Sequence, residues 1–369
     1  MTGATPLLTR LQAQIALSGP ISIADYMAIC LLDPDHGYYT TRQPFGASGD
    51  FVTAPEVSQL FGEIIGAWLI HTWHVIGEPS PFVLVEFGPG RGTLMKDILR
   101  TARVSPGFND AVHPVLIEAS ERLRGVQAQT LGGDASRVTW HDGLDDLPDM
   151  PTLMVSNEFF DALPFRQFVK SGTRWLERTI GIAPDGGLRF QTGINIADRT
   201  WLPPDVDADA EPDGAVLEVS LAREAVAADM ARHICARGGA ALHIDYGHDT
   251  TGFGDTFQAV RNNQYADLLA APGQADLTSH VDFQALANAA SAAGAKVSPV
   301  MAQGAFLLGC GLLERAGALG RGQAKAQQAR IEADVQRLAG DGKDDMGGLF
   351  KVLCFAAPAR PPLPPFGSN

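Results

Sequence analysis

Three glycines at alternate positions, Gly88, Gly90 and Gly92, follow an acid, Glu86, at the end of a short apolar run. Thr93 then opens a segment with helical spacing. A buried strand that breaks into a glycine turn and a helix brings backbone N–H groups and a helix N-terminus to one point. Glycine lets the backbone approach a ligand without a Cβ in the way. The chemistry expected there is the binding of a nucleotide-like cofactor. A dinucleotide loop places its third glycine three residues after the second. Here it comes after two, and position 93 is Thr. Glu86 would repel a pyrophosphate and suits a cationic ligand, since one charge pair at contact is worth roughly 4 kcal/mol at an effective dielectric of 20. S-adenosyl-L-methionine, with a sulfonium and an amino group and no phosphate, meets that description. Gly88, Pro89, Gly90, Gly92 and Glu86 are the residues expected to hold it.

Further acids fall at the ends of the next strand candidates. Glu118 ends residues 113–118, where an acid takes ribose hydroxyls in an α/β nucleotide site. His141 and Asp142 end a third strand and are candidates for the adenine edge. A fourth runs into Asn157, Glu158 and Asp161, which should face the same crevice. Methyl transfer from a sulfonium needs position and electrostatics more than activation of the leaving group. Carboxylates there could hold a cationic acceptor and take its proton. Glu158, Asp161 and Asp50 are the catalytic candidates. Glu56 is a second choice, Asp245 lies at the end of the fifth strand candidate, and Thr53 is placed with the cofactor. Tyr38, Tyr39 and Phe51 could stack on a planar group, and His36 and His280 could act as bases. The bland reading of each is also open: a strand-end acid is often a cap, and such aromatics are more often core.

These residues need a scaffold. From residue 81 onward, strands alternate with helices, the pattern of a parallel sheet covered on both faces. The fold class expected is α/β, a Rossmann-like sheet with a helical N-terminal extension over residues 1–80. An antiparallel insertion over about 165–235 separates strands 4 and 5 and faces the substrate. Residues 81–356 form the core and 357–369 a Pro-rich extended tail. Helices are expected over 5–17, 22–32, 57–74, 222–235, 281–293 and about 322–338. The apolar segments 306–312 and 349–356 are read as strands that complete the sheet, and 203–214 as an acidic loop.

Net charge is −14, from 42 acidic and 28 basic residues, which argues against a general nucleic-acid binder and is compatible with a cationic substrate. The four cysteines, Cys30, Cys235, Cys310 and Cys354, are scattered, so neither a zinc site nor a disulfide framework is indicated. No signal-peptide pattern opens the chain, and no apolar run is long enough for a membrane span. A soluble cytoplasmic protein without a metal is expected, and the oligomeric state is left open.

The glycine motif resembles the first motif of class I S-adenosyl-L-methionine-dependent methyltransferases. Segments 49–63 (GDFVTAPEVSQLFGE) and 157–164 (NEFFDALP) narrow the likeness, and 245–247 (DYG), 276–283 (DLTSHVDF) and 346–352 (MGGLFKV) extend it. Together they resemble the MidA-type family over about residues 20–356. The resemblance implies methylation of a protein arginine, by symmetric dimethylation, on a subunit of NADH–quinone oxidoreductase (complex I) during its assembly. Mitochondrial members act in the matrix, and a bacterial homologue would act in the cytoplasm. A small-molecule methyltransferase and a non-catalytic assembly chaperone are the competing readings.

Overall fold

The computed structural model describes residues 5–41, 53–203, 206–358 and 363–367. The chain divides into two compact units, both discontinuous in sequence.

The larger unit holds residues 52–160, 225–249 and 281–369. Its sheet is built on β1 (Phe82–Phe87), β2 (Val112–Ile117), β3 (Thr139–His141), β4 (Thr152–Asn157), β5 (Gly239–His248) and β6 (Phe350–Ala356). The spatial order is β3-β2-β1-β4-β5-β6. All neighbours are parallel except β6, which runs antiparallel to β5. β1 and β4 are buried along their whole length, as strands covered on both faces must be. Sequence order reverses between β1 and β4, which pair with Val85 opposite Met154 and Phe87 opposite Ser156. The carboxyl ends of these two strands therefore flank the switch point where ligands bind in open α/β sheets.

A single-turn helix α1 (Ala54–Val57), then α2 (Gln59–Val75) and α3 (Thr93–Ala102), pack on one face. The helix expected over 57–74 thus begins later. Ser58 has an extended backbone and its Oγ accepts from Leu60 N–H at 3.5 Å, capping α2.

The expected strand at 306–312 is a correction. That segment is helical, split between Gln303–Gly309 and Leu312–Gly320. Gln303, Phe306 and Leu307 are buried together, a spacing of three and four that suits one helix face and not an alternating strand. β6 is flanked instead by the two-residue strands Lys296–Val297 and Met301–Ala302. The helix expected over 281–293 is Phe283–Ala292, preceded by a short strand at Val281–Asp282 that pairs with β5. The Pro-rich end is not freely solvated in its described part. Leu363 and Phe366 are buried in the core, and Trp68 Nε1–H donates to the Pro364 carbonyl at 2.7 Å.

The smaller unit holds residues 1–51, 161–224 and 250–280. The helices Pro6–Ser18 and Ile23–Leu32 lie here, the second capped by Ser22, whose Oγ accepts from Asp25 N–H at 3.0 Å. The hairpins read from the sequence form an antiparallel sheet from Arg166–Ser171, Arg174–Ile182, Leu188–Ile196 and Val216–Val219. Leu7, Leu11, Tyr26, Phe165, Ile180 and Phe257 share its core. Two buried cations organise its loops. Lys170 Nζ donates to the carbonyls of Ala208, Asp209 and Glu211 at 3.0, 2.5 and 2.5 Å, tying down the acidic loop. The Arg223 guanidinium donates to the carbonyls of Asp161 at 2.9 Å and His280 at 2.7 Å and to Ser279 Oγ at 2.7 Å.

Candidate functional site

The glycine loop lies between β1 and α3. Gly88, Gly90 and Gly92 all take left-handed backbone angles, with φ of 60°, 52° and 83°. Residues with a Cβ reach that region at a cost of roughly 1–2 kcal/mol each, so the alternate glycines are a conformational requirement. At Gly88 a Cβ would also sit 3.0 Å from Cδ2 of Phe159. Gly92 N–H donates to the Pro89 carbonyl at 2.6 Å, closing the turn.

Glu86 is nearly fully buried, at 3% exposure. Its side chain accepts from the Met95 N–H in the first turn of α3, where the helix dipole favours a negative charge. Its Oε2 has no hydrogen-bond partner among the described residues. Burial pushes its carboxyl up to about 8.

Glu118 follows β2. It accepts from Ser120 N–H at 2.8 Å and from Gln127 Nε2 at 3.0 Å, and burial raises its pKa. Gln127 also donates to the Gly90 carbonyl at 2.9 Å and accepts from Trp140 Nε1–H at 2.8 Å. One fully buried amide thus joins the glycine loop to the acid of the next strand. No signal in the sequence marks Gln127, since a lone Gln on a helix is unremarkable until its neighbours are known. His141 ends β3 and its carbonyl accepts from Glu118 N–H at 3.1 Å. The Asp142 carboxylate points outward and pairs with Arg124 at 2.6 Å.

At the end of β4, Asn157 is buried, and its Oδ1 has no partner among the described residues. Its Nδ2 donates to Glu158 Oε1 at 3.1 Å. Glu158 has φ 51°, an uncommon angle for a residue with a side chain, and such strain clusters at functional sites. Ala54 N–H of α1 donates to the same oxygen at 3.4 Å. Thr53 precedes α1 as its N-cap without a side-chain capping bond. Asp245 on β5 is fully buried and accepts from Phe159 N–H, Phe160 N–H and Tyr246 N–H at 3.1, 3.0 and 2.9 Å. It therefore holds the turn that follows Glu158. Asp245→Ala removes the acceptor of three N–H groups, two of them in buried bonds, at about 1–3 kcal/mol for each left unpaired. We expect urea denaturation to show a loss of about 3 kcal/mol or more.

Asp161, three residues beyond Glu158, belongs to the smaller unit. It is buried, and its carbonyl also accepts from Ser279 N–H at 3.2 Å. Within that unit the Tyr39 hydroxyl donates to Asp276 at 2.9 Å. Burial, and then the carboxylates of Asp276 and Asp161, hold the Tyr39 phenol well above its ordinary range. Tyr38 is core, packed edge-on against Tyr39. Asp50 and Phe51 lie outside the described residues. Among the described residues no cluster of His, Cys, Asp and Glu could hold a metal, and no helix is long and apolar enough to cross a membrane.

Comparison with known proteins gives the family of the chain. Residues 64–301 match the family described as "Putative S-adenosyl-L-methionine-dependent methyltransferase". The chain is 35% identical to a zebrafish (Danio rerio) protein named protein arginine methyltransferase NDUFAF7, mitochondrial, over 84% of this chain and 77% of that one. The human protein of the same name is 35% identical over 84% of this chain and 74% of its own. A crystal structure of a COG1565 superfamily member from Burkholderia thailandensis, bound to S-adenosyl-homocysteine, superposes with a TM-score of 0.81 at 29% identity. That match covers 97% of this chain and 93% of the other.

The chain belongs to the MidA-type family of S-adenosyl-L-methionine-dependent methyltransferases.

The residues of this MidA-type crevice fit the cofactor of the family. Glu86 Oε2 and Asn157 Oδ1 are buried oxygens without partners among the described residues, and a cation beside Glu86 would favour its ionised, accepting form. S-adenosyl-L-methionine carries an ammonium and an exocyclic amine, both donors, whereas a pyrophosphate would add only acceptors. Buried acceptors left unmatched cost about 1–3 kcal/mol each.

Glu86 also makes stability depend on pH. Its folded pKa of about 8 lies above the ordinary carboxylate value of 4.5. The folded state therefore keeps a proton that the unfolded state has lost. The stability from this group is fully present below pH 4.5 and is lost progressively up to about pH 8. Glu86→Gln, which cannot ionise, is expected to raise the melting temperature of the cofactor-free protein at pH 8 by several degrees. At pH 5 it should change it little. Equal shifts at both pH values would show that ionisation is not the cause.

Proposed function

We propose that this chain transfers a methyl group from S-adenosyl-L-methionine to a guanidinium nitrogen of an arginine in a protein, and that the protein is a subunit of NADH–quinone oxidoreductase undergoing assembly. The observation that carries the reading is the Glu158 carboxylate, set at the end of β4 beside the switch point and held by two N–H donors. Two donors on one oxygen orient the carboxylate, and an oriented carboxylate is what a guanidinium requires. The arginine methyltransferase names of the relatives support the same acceptor. The reading places the activity in the bacterial cytoplasm, where the animal relatives carry the word mitochondrial in their names.

In this reading Gly88, Pro89, Gly90 and Gly92 let the backbone lie against the cofactor, and Glu118 takes its ribose hydroxyls. Glu86, Asn157 and Thr53 would help to hold it, and His141 or Asp142 could meet the adenine edge. When bound, S-adenosyl-L-methionine supplies a methyl group on a sulfonium, moved by a single in-line displacement. Glu158 orients the guanidinium plane. As the nitrogen–carbon bond forms and the carbon–sulfur bond breaks, Glu158 accepts the proton that the nitrogen loses, leaving a methylated guanidinium of unchanged charge.

The test is methyl-labelled S-adenosyl-L-methionine incubated with the protein and a lysate from cells lacking its gene. Label in a protein band, mapped to methylarginine in a complex I subunit by mass spectrometry, is the expected result. Label only in small molecules would favour the competing reading. Complex I assembly restored equally by wild type and by Glu158→Gln would point to a chaperone.

A further inference from the structure

The position where a dinucleotide loop would carry its third glycine is not idle. Thr93 is the first residue of α3, and its hydroxyl donates to Glu56 Oε1 at 2.5 Å. Glu56 lies in α1, a single turn closed by Glu56 N–H and Val57 N–H on the Thr53 carbonyl at 2.8 and 3.1 Å. Pro55 fixes φ within that turn, and both Ala54 and Pro55 are buried, so α1 moves as one piece. Ala54 N–H, at its start, donates to Glu158 Oε1. A continuous path therefore runs from the glycine loop through Thr93, Glu56 and α1 to the Glu158 carboxylate.

We propose that the Thr93–Glu56 hydrogen bond is a positioning link that sets the Glu158 carboxylate in register with the cofactor loop, and that Glu56 is a positioning residue and not a proton acceptor. This rests on the reading of Glu158 given above. The chemistry favours it, because Glu56 already spends an oxygen on a short bond to a neutral hydroxyl. An amide oxygen can accept that same bond, whereas it cannot take up a proton at neutral pH.

The test uses the full-length Thr93→Val, Glu56→Ala and Glu56→Gln proteins, and Glu158→Gln as a reference. Three quantities are read: S-adenosyl-homocysteine affinity by calorimetry, transfer of labelled methyl to lysate protein, and hydrogen exchange of the peptide covering residues 53–58. Thr93→Val and Glu56→Ala should each lower the transfer rate about tenfold and speed exchange in that peptide, with affinity within about twofold of wild type. Combining them should add little, since both cut one link. Glu56→Gln should keep near wild-type transfer and exchange. Transfer as low in Glu56→Gln as in Glu158→Gln would make Glu56 a chemical participant and overturn the proposal. So would unchanged exchange and rate in Thr93→Val. Full transfer by Glu158→Gln would instead remove the reading of Glu158. The exchange data would then still report whether the link exists.

Discussion

Glu158→Gln is expected to bind S-adenosyl-L-methionine within a few-fold of wild type and to transfer methyl groups at least about 100-fold more slowly. The substitution keeps shape and the strained backbone at φ 51°, because the residue remains unbranched at Cβ. The amide oxygen still accepts from Ala54 N–H and Asn157 Nδ2, the contacts that hold the wild-type side chain. It loses the negative charge that pairs with a guanidinium and the capacity to receive a proton as the methyl arrives. The lost proton acceptor falls on the transition state and the lost charge on the bound arginine as well, so transfer falls while cofactor binding stays. Calorimetry with S-adenosyl-homocysteine and a labelled-methyl assay check the two halves separately. Retained transfer would remove Glu158 from the chemistry.

Gly90→Val is expected to reduce S-adenosyl-L-methionine affinity by more than about 100-fold, roughly 2.7 kcal/mol. Gly90 has φ 52°, where a β-branched side chain is strained. Relief of that strain rotates the backbone and carries away the Gly90 carbonyl, which accepts from Gln127. Gln127 also holds Glu118, so the loop and the expected ribose acid are disturbed together. Gly125→Ala is the control. That glycine lies in the helix Glu121–Leu131 with open space around its Cβ position, and the change should leave binding intact and stabilise slightly. Calorimetry of both variants, with circular dichroism to confirm the fold, decides. Wild-type affinity in Gly90→Val would mean that the cofactor does not lie against this loop.

Much of the site is legible in the sequence because its signals are local. A left-handed turn favours glycine, so three alternate glycines after an apolar run read as a ligand loop. β1 and β4 read as buried strands because runs of apolar residues need cover on both faces. The hairpins after residue 164 are marked by alternation and glycine turns. The segment 306–312 misleads because a short apolar run has no clear period, and its burial on one helix face depends on what it packs against. The helix break at Ser58 is equally hidden, since a capping serine inside an apolar stretch looks like a tolerated polar residue.

Read along the chain alone, the residues specify the strand–glycine–helix unit, the order of the core strands and the charge at their ends. Backbone sterics and hydrophobic period act within a few residues, so they leave a local trace. Which of those acids does what is a matter of tertiary contacts. Asp245 ties down the turn after Glu158, Gln127 joins the loop to Glu118, and Glu56 meets Thr93. Asp161 and Glu158 fall in different units, though they are only three positions apart in the chain. Each of these bonds joins groups from different elements, 37 residues apart for Glu56 and Thr93. No local rule carries such distances; they follow from how the sheet is wound and what its helices cover.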